Sequence, residues 1–398
     1  MNNRILSKFK GNPQIDDGTA YTVLFAMGFC HLLNDMIQSV IPAMYPLLKD
    51  NFGFTFAQIG IITLVFQLTS SVLQPFVGRY ADRHPQPYSL SMGMCFTLVG
   101  LLVLALASDF GVILLAVALI GCGSSVFHPE ASRVAQMASG GNGGSSIGPL
   151  LAALIIIPYG QSAVAWFAVA ALLASTILVR IGYWYSLMLV HVETSRRIDS
   201  VSVCGLSQGT IRKALAILVI MIFSKYFFIS CMTSYFTFFL IEKFGVTVQQ
   251  SQICLFAFLA ALAVGTLLGG FLGDKYGRKY VILFSILGAA PFTLVLPYLD
   301  LFGTIAMAVV IGLVIASAFS AILVYATDLK PDKIGMISGI FFGLMFGLGG
   351  IGSAFFGWLA DETSIEFVFK ISTLLPLLGV IACFLPNIKP SNKKENRI

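Results

Sequence analysis

The sequence predicts an all-α polytopic membrane protein, and three observations support this prediction. Of the 398 residues, 57% are hydrophobic and only 11% are charged, whereas a water-soluble domain carries roughly 25% charged residues. Long apolar windows bounded by charge, proline or glycine recur along the whole chain. The lysine and arginine residues fall almost entirely in the two tails and in every second loop between these windows.

Twelve apolar windows are candidate membrane spans, and we number them 1 to 12 along the chain. A helix needs about 20 residues to cross roughly 30 Å of hydrocarbon, and only the fifth window is clearly too short. The windows are 20–48, 56–78, 88–107, 111–130, 144–159, 163–186, 213–241, 249–273, 279–299, 302–327, 335–359 and 364–386.

The distribution of lysine and arginine predicts the orientation of the spans. If the N-terminus is cytoplasmic, 20 basic residues fall in inner segments, Lys225 lies within a span, and only Lys49, Lys243 and Lys370 fall outside. This asymmetry follows the positive-inside rule, so both termini are predicted to be cytoplasmic. The polar N-terminal stretch has no cleavable apolar region, which argues against a removed signal peptide.

An internal repeat divides the chain into two six-helix halves. The predicted organisation is an N-terminal tail (1–19), a first half (20–186), a cytoplasmic linker (187–212), a second half (213–386) and a C-terminal tail (387–398). At a register of 192 residues, Phe52, Gly53, Thr55 and Gln58 match Phe244, Gly245, Thr247 and Gln250. Two such halves are the architecture of many secondary transporters.

Span 5 departs from this register. Ile147 and Gly148 match Ile351 and Gly352 only at an offset of 204, so the first half lacks about twelve residues here. The remaining residues, 145–159, cover about 22 Å as a helix, which is short of the bilayer core. Because the charge asymmetry requires a crossing, we expect a shortened helix extended through 140–144, or local thinning of the bilayer.

The loop between spans 8 and 9 reads GFLGDKYGRK over residues 270–279. It resembles the signature cytoplasmic loop of the major facilitator superfamily, and the resemblance implies that superfamily's fold. Its aspartate can cap a helix and pair with basic neighbours, which predicts a conformational latch, although an ordinary basic loop is the alternative. The predicted latch residues are Gly78, Asp82 and Arg83 in the first half, and Gly270, Asp274, Lys275, Gly277, Arg278 and Lys279 in the second.

Span 5 keeps a second recognisable element. Gly144, Gly148 and Pro149 resemble the antiporter motif of the same superfamily, with alanines in place of its last two glycines. Small residues permit close helix contact, and proline bends a helix. Generic packing by small residues is the alternative interpretation.

The polar face of span 1 is the candidate site for proton coupling. Spacings of three and four place His31, Asn34, Asp35 and Gln38 on one helical face. An ionised aspartate near mid-bilayer costs about 2.5–3.5 kcal/mol, so such residues face a cavity or a partner. We predict that Asp35 takes up and releases a proton, and a structural ion pair is the alternative.

Other polar residues extend this candidate site. Lys225 in span 7 is predicted to face Asp35, where it could neutralise that carboxylate or attract an anionic group of a substrate. Its neighbour Tyr226 is a candidate cavity residue. His128 and Glu130 in span 4 suit either a proton relay or a capped helix end.

Several stretches resemble the fosmidomycin-resistance family of bacterial inner-membrane transporters, from about residue 20 to 386. They are HLLNDMIQS, FTFAQIGIITLVFQLTSSVLQP, GSSVFHPEASRVA, FSKYFF, GDKYGRKYVI and ASAFSAILVYA. The resemblance implies proton-driven export of small polar or toxic compounds, including a phosphonate antibiotic, across the inner membrane. An uptake symporter and an inserted protein that is transport-defective because of span 5 are the alternatives.

The remaining expectations concern partners and chemistry. We expect a monomer whose partners are a small-molecule substrate, protons and the lipid bilayer. Residues 144–148 read GSSIG, a formal match to the nucleophile elbow of hydrolases, but that chemistry needs a strand–turn–helix and a histidine partner, whereas this stretch is apolar and follows a glycine cluster. We therefore expect no enzyme, and we expect no cofactor, metal or nucleic-acid partner.

Overall fold

The computed structural model of the protein describes residues 17–84, 86–138, 157–192, 207–330 and 334–387, and the regular elements in these ranges are helices. Nine helices in these ranges are long and apolar enough to cross a membrane. The prediction of an all-α polytopic membrane protein is therefore confirmed. Span 3 is a shorter apolar helix of 17 residues, and most of span 5 lies outside the described ranges.

In the first half, the helices are Asp17–Ala43 and Tyr45–Phe52 for span 1, Phe56–Arg83 for span 2, Ser89–Ala105 for span 3, Phe110–Ala138 for span 4 and Ala165–Val192 for span 6. Two short elements, Ile157–Tyr159 and the 3₁₀-helix Gln161–Val164, precede span 6.

In the second half, the helices are Gln208–Phe244 for span 7, Val248–Tyr276 for span 8, Arg278–Leu287 and Ala290–Val295 for span 9, Leu301–Ala316 and Ala318–Leu329 for span 10, Ile334–Glu362 for span 11 and Ile365–Ser372 for span 12. Span 9 ends in the 3₁₀-helix Leu296–Tyr298, and span 12 continues as the 3₁₀-helix Leu375–Phe384.

The starts of spans 2 and 8 show the internal repeat as local structure. Thr55 accepts a hydrogen bond from the Gln58 amide, and the Gln58 side chain accepts one from the Thr55 amide. Thr247 and Gln250 form the same reciprocal pair 192 residues later. This capping box satisfies amides that have no partner within the helix. The matched positions therefore have the same structural role in both halves.

The glycines that follow spans 1 and 7 also match in the internal repeat. Gly53 follows span 1 with φ of 66°, and Gly245 follows span 7 with φ of 64°. A left-handed residue at a helix C-terminus strongly favours glycine, because other residues have a steric cost there. The repeat thus preserves both the end of one span and the start of the next.

Spans 2 and 11 form a long contact between the two halves. Near the predicted outer end, a Cβ atom built on Gly60 would lie 2.6 Å from the carbonyl oxygen of Ser353. Near the predicted inner end, a Cβ atom built on Gly339 would lie 3.8 Å from Cα of Pro75. The two helices therefore approach each other most closely at the outer end.

Large apolar side chains remain exposed on the outside of the helices. Phe25, Phe284 and Phe302 are 82%, 68% and 81% exposed. Side chains of this kind are unfavourable in water, whereas acyl chains solvate them. The outer surface therefore suits a lipid environment.

Candidate functional site

An imidazole and a carboxylate form a pair on the polar face of span 1. His31 Nε2 lies 3.3 Å from Asp35 Oδ2, one helical turn away, and the two side chains are 20% and 17% exposed. The His31 ring stacks on Phe127 of span 4, with 5.7 Å between the ring centroids. The pair can hold a proton on either partner, and the ionised carboxylate is stabilised by a protonated imidazole.

A chain of hydrogen bonds continues from span 1 into spans 2 and 4. The Ser70 hydroxyl donates to Ser124 Oγ at 3.1 Å, and Ser124 donates to Gln38 Oε1 at 3.2 Å. Asn34, on the same face of span 1, is 1% exposed. Sequence reasoning missed both serines, because a serine in an apolar window is also a common packing residue.

Lys225 is buried among groups that only partly satisfy an ammonium. Its side chain is 2% exposed, and Nζ lies 3.5 Å from the carbonyl oxygen of Ala316 in span 10. Nζ also lies 5.5 Å from the ring centroid of Tyr226 and 5.6 Å from that of Phe319. Each cation–π contact contributes about 0.5–2 kcal/mol, whereas burying an ion costs several kcal/mol. An anion close to Nζ would therefore be strongly favoured.

The carbonyl group that faces Lys225 is available because span 10 is interrupted at Ser317. The Ser285 hydroxyl of span 9 donates to Val314 O at 2.6 Å and accepts from Ala318 N at 2.9 Å. A side chain inserted in this way breaks the helical ladder. Ala316 then lies at a helix C-terminus, where carbonyls lack helical partners and carry partial negative charge.

The structure does not join Asp35 to Lys225. Within the described ranges, the salt bridge of Asp35 is to His31, and Lys225 forms no salt bridge. The static ion pair, which was one alternative for these two residues, is therefore not formed here. Spans 1 and 7 are nevertheless in contact, which leaves a carboxylate on one half and an ammonium on the other.

Polar contacts join the two halves at the predicted outer end. The Tyr235 hydroxyl of span 7 lies 2.6 Å from Ser353 O of span 11 and 3.3 Å from Phe56 O of span 2. Ser353 Oγ also donates to Ser234 Oγ at 2.9 Å. The carboxylate of Asp361 reaches the start of span 2 across the same interface. These contacts hold the two halves together at the predicted outer end.

The loop between spans 8 and 9 contains one ion pair within the predicted motif and a second pair that sequence reasoning missed. Arg278 lies 3.6 Å from Asp274 Oδ1, and its guanidinium also pairs with Asp328 at the end of span 10. Gly277 joins the two helices with φ of 95°, which favours glycine. The loop therefore ties together spans 8, 9 and 10.

The other predicted residues of this loop do not take part in these pairs. Lys275 is exposed and Lys279 is half-buried. A Cβ atom built on Gly270 would lie 3.7 Å from Ser320 Oγ, which is an ordinary contact. Gly270 is therefore not required here for close packing.

Several predicted residues fall outside what the structure describes. Gly144, Gly148 and Pro149 lie in an undescribed range, as does most of span 5. For five further residues the structure describes the helix backbone but not the side chains. They are Gly78, Asp82 and Arg83 in span 2, and His128 and Glu130 in span 4.

Comparison with known families identifies the class of protein. The family model of the Major Facilitator Superfamily matches the chain over residues 27–239 and again over residues 218–398. The chain therefore belongs to the Major Facilitator Superfamily. The predicted major facilitator fold is confirmed, and the protein is a membrane transporter of that class.

Two relatives narrow the assignment. The chain is 56% identical over 382 residues to the fosmidomycin resistance protein of Escherichia coli (strain K12), covering 93% of this chain and 94% of the relative. It is 39% identical over 384 residues to the uncharacterized MFS-type transporter YfnC of Bacillus subtilis (strain 168), with the same coverage. Within the superfamily, the chain is a member of the fosmidomycin-resistance protein family.

Solved structures of distant transporters share the fold. A bacterial homolog to the human lysosomal transporter Spinster, in an inward-facing and occupied conformation, superposes with a TM-score of 0.62 at 16% identity, covering 92% of this chain and 94% of the other. A mutant of the nucleoside transporter NupG superposes with a TM-score of 0.66 at 12% identity, covering 92% and 100%. At these identities the likeness concerns the fold alone.

Proposed function

We propose that the protein is a proton-coupled exporter of a small polar or anionic compound, such as fosmidomycin, and that it works by alternating access. The observation that carries the proposal is the buried amino group of Lys225, which has no carboxylate partner in the described ranges. The 56% identical relative named for fosmidomycin resistance supports an anionic substrate, because fosmidomycin is a phosphonate.

In the proposed mechanism, the two charged groups have separate tasks. Lys225, with the carbonyl of Ala316 beside it, binds the anionic group of the substrate. Asp35 and His31 bind the proton on the opposite half. Proton binding neutralises Asp35, and substrate binding neutralises Lys225. Each event changes the cost of burying a charge between the halves, so each can favour a different conformation.

The proposed cycle takes place in the bacterial inner membrane with both termini in the cytoplasm. Rocking of the two halves about a midplane site exposes that site to one side at a time. The contacts of Tyr235 and Asp361 at the outer end must break when the site opens outward. Protons entering from outside then drive release of the substrate to the outside.

Transport into inverted membrane vesicles tests the proposal directly. Labelled fosmidomycin should accumulate when the vesicle interior is acidic, and a protonophore should abolish the accumulation. Vesicles that contain the Lys225→Met variant provide the control for specific binding. Accumulation by intact cells, driven by an inward proton gradient, would instead identify an uptake symporter.

A further inference from the structure

Spans 8, 9 and 10 line an open apolar groove of about 580 Å³. The lining includes Leu268 and Tyr276 of span 8, Tyr280 and Phe284 of span 9, and Leu313 of span 10. All five side chains are at least 37% exposed, so the groove opens on the surface that faces lipid. Its volume falls in the range of about 300–1,000 Å³ that is typical of ligand pockets.

Close helix packing at the break in span 10 forms the floor of the groove. Gly269 of span 8 lies against the break in span 10, and a Cβ atom built on it would lie 2.1 Å from Ser317 O. The Ser285 hydroxyl holds the other side of the break through its bonds to Val314 O and Ala318 N. Ser285, Val314 and Ser317 also line the groove. Its floor is therefore the interrupted segment of span 10.

Two tyrosines line the predicted cytoplasmic end of the groove, and each follows a lysine in the sequence. Tyr276 and Tyr280 lie there, and tyrosine favours the membrane–water interface. Lys275 and Lys279 each precede one of these tyrosines, and Lys275 Nζ lies 5.2 Å from the ring centroid of Tyr276. Neither lysine forms a salt bridge within the described ranges, whereas Arg278 is paired with carboxylates on both sides.

We propose that this groove binds an acyl chain of an anionic phospholipid from the cytoplasmic leaflet, with Lys275 and Lys279 binding the headgroup. The apolar lining suits a hydrocarbon chain, and the tyrosines lie where the chain meets the headgroup. Basic pockets at the cytoplasmic side of membrane helices attract anionic headgroups with about 1 kcal/mol per basic residue. A zwitterionic lipid would occupy the groove without this second contribution.

The position of the site gives it a consequence for transport. The bound acyl chain contacts the break in span 10, and the carbonyl next to that break faces Lys225. An occupied groove would therefore stabilise the interrupted geometry that leaves this carbonyl available. Lipid binding itself does not depend on the identity of the substrate or on proton coupling, so its test is independent of the proposed function.

Lipid titration of the purified full-length protein, followed by native mass spectrometry, tests the site. The probes are phosphatidylglycerol and phosphatidylcholine with the same acyl chains. At one site, wild-type protein should bind phosphatidylglycerol more tightly than phosphatidylcholine. Lys275→Gln and Lys279→Gln should each reduce this preference about fivefold, as expected for about 1 kcal/mol per lysine. Leu313→Trp, which fills the groove, should weaken binding of both lipids.

Matched variants separate this site from general lipid contact. Lys213→Gln removes another exposed lysine on the predicted cytoplasmic side, and Leu172→Trp enlarges an exposed leucine of span 6. Neither residue lines the groove, so both variants should keep the wild-type preference. Equal binding of the two lipids by wild type would overturn the proposal. So would the same loss in the control variants as in the groove variants.

Discussion

Asp361, near the end of span 11, accepts a hydrogen bond at 2.8 Å from the backbone amide of Phe56, the first residue of span 2. Its second carboxylate oxygen accepts from the amide of Ala57 at 2.7 Å. The first amides of a helix lack helical acceptors, and the helix N-terminus carries partial positive charge. A single carboxylate therefore caps a helix of the opposite half and joins the two halves at the predicted outer end.

Removal of this carboxylate should favour opening of the outer end. Asp361→Ala removes both charge-assisted hydrogen bonds. Because these bonds form only in the closed conformation, the ratio of closed to open protein should fall about tenfold. Double electron–electron resonance between spin labels at Asn51 and Thr363, two exposed outer positions, reports the change as a longer distance. The measurement uses a background in which the native cysteines are replaced.

The neighbouring carboxylate provides the control. Glu362 is exposed and has no hydrogen bond to span 2 among the described contacts. Glu362→Ala should therefore leave the distance distribution unchanged. The same shift in both variants would mean that net charge, and not the cap on span 2, controls the outer end.

The close approach of spans 2 and 11 gives a second, purely steric prediction. A Cβ atom at Gly60 would lie 2.6 Å from Ser353 O and 2.8 Å from the Tyr235 hydroxyl. Gly60→Ala should therefore separate the helices and lengthen the same spin-label distance. Gly28→Ala adds the same methyl group in span 1, where no heavy atom lies within 4 Å of the added Cβ, and should have no effect. An unchanged distance in Gly60→Ala would contradict the prediction.

The sequence predicted features that depend on local pattern. Apolar windows located the spans, and the match of Thr55 with Thr247 identified positions that prove to be equivalent helix caps. The role of Asp361 was missed, because its partner is 305 residues away in the chain. The break at Ser317 was also missed, since the residue that causes it is Ser285 of another span. Such contacts depend on tertiary packing that hydropathy does not encode.

Loss of the Lys225 ammonium should remove transport of an anionic substrate. Lys225→Met keeps most of the side-chain length but cannot attract an anion, so fosmidomycin flux into inverted vesicles should fall at least tenfold. The buried site itself should tolerate methionine, because no carboxylate partner in the described ranges is left unpaired. The amount of protein in the membrane should therefore remain close to wild type.

Lys243 is a matched control on the same span. Its Nζ donates to Pro297 O at 2.6 Å and to Leu299 O at 3.0 Å, and it lies 4.9 Å from the ring centroid of Phe244. These partners resemble those of Lys225, but Lys243 lies at the predicted outer end of the span. Lys243→Met should lower stability and leave flux per molecule unchanged. Wild-type flux in Lys225→Met would exclude Lys225 from substrate binding.

Asp35 should be required for coupling to protons. Asp35→Asn keeps the size of the side chain but cannot take up or release a proton, so flux driven by a pH gradient should be abolished. Asp300→Asn is the control, because Asp300 caps the Gly303 amide at 2.9 Å and asparagine caps helices equally well. Unchanged proton-driven flux in Asp35→Asn would remove this residue from the mechanism.

The short span 5 should limit the amount of active transporter. As a helix, residues 145–159 would cover about 22 Å of roughly 30 Å of hydrocarbon, and hydrophobic mismatch costs a fraction of a kcal/mol per Å. The total cost of this mismatch is on the order of a few kcal/mol. This is enough to reduce insertion of the protein into the membrane or to distort its first half. A version with twelve more apolar residues in span 5 should therefore protect a fosmidomycin-sensitive strain better than this chain. Protection is compared at equal membrane level, measured by immunoblot, and equal protection would show that the shortened span is fully functional.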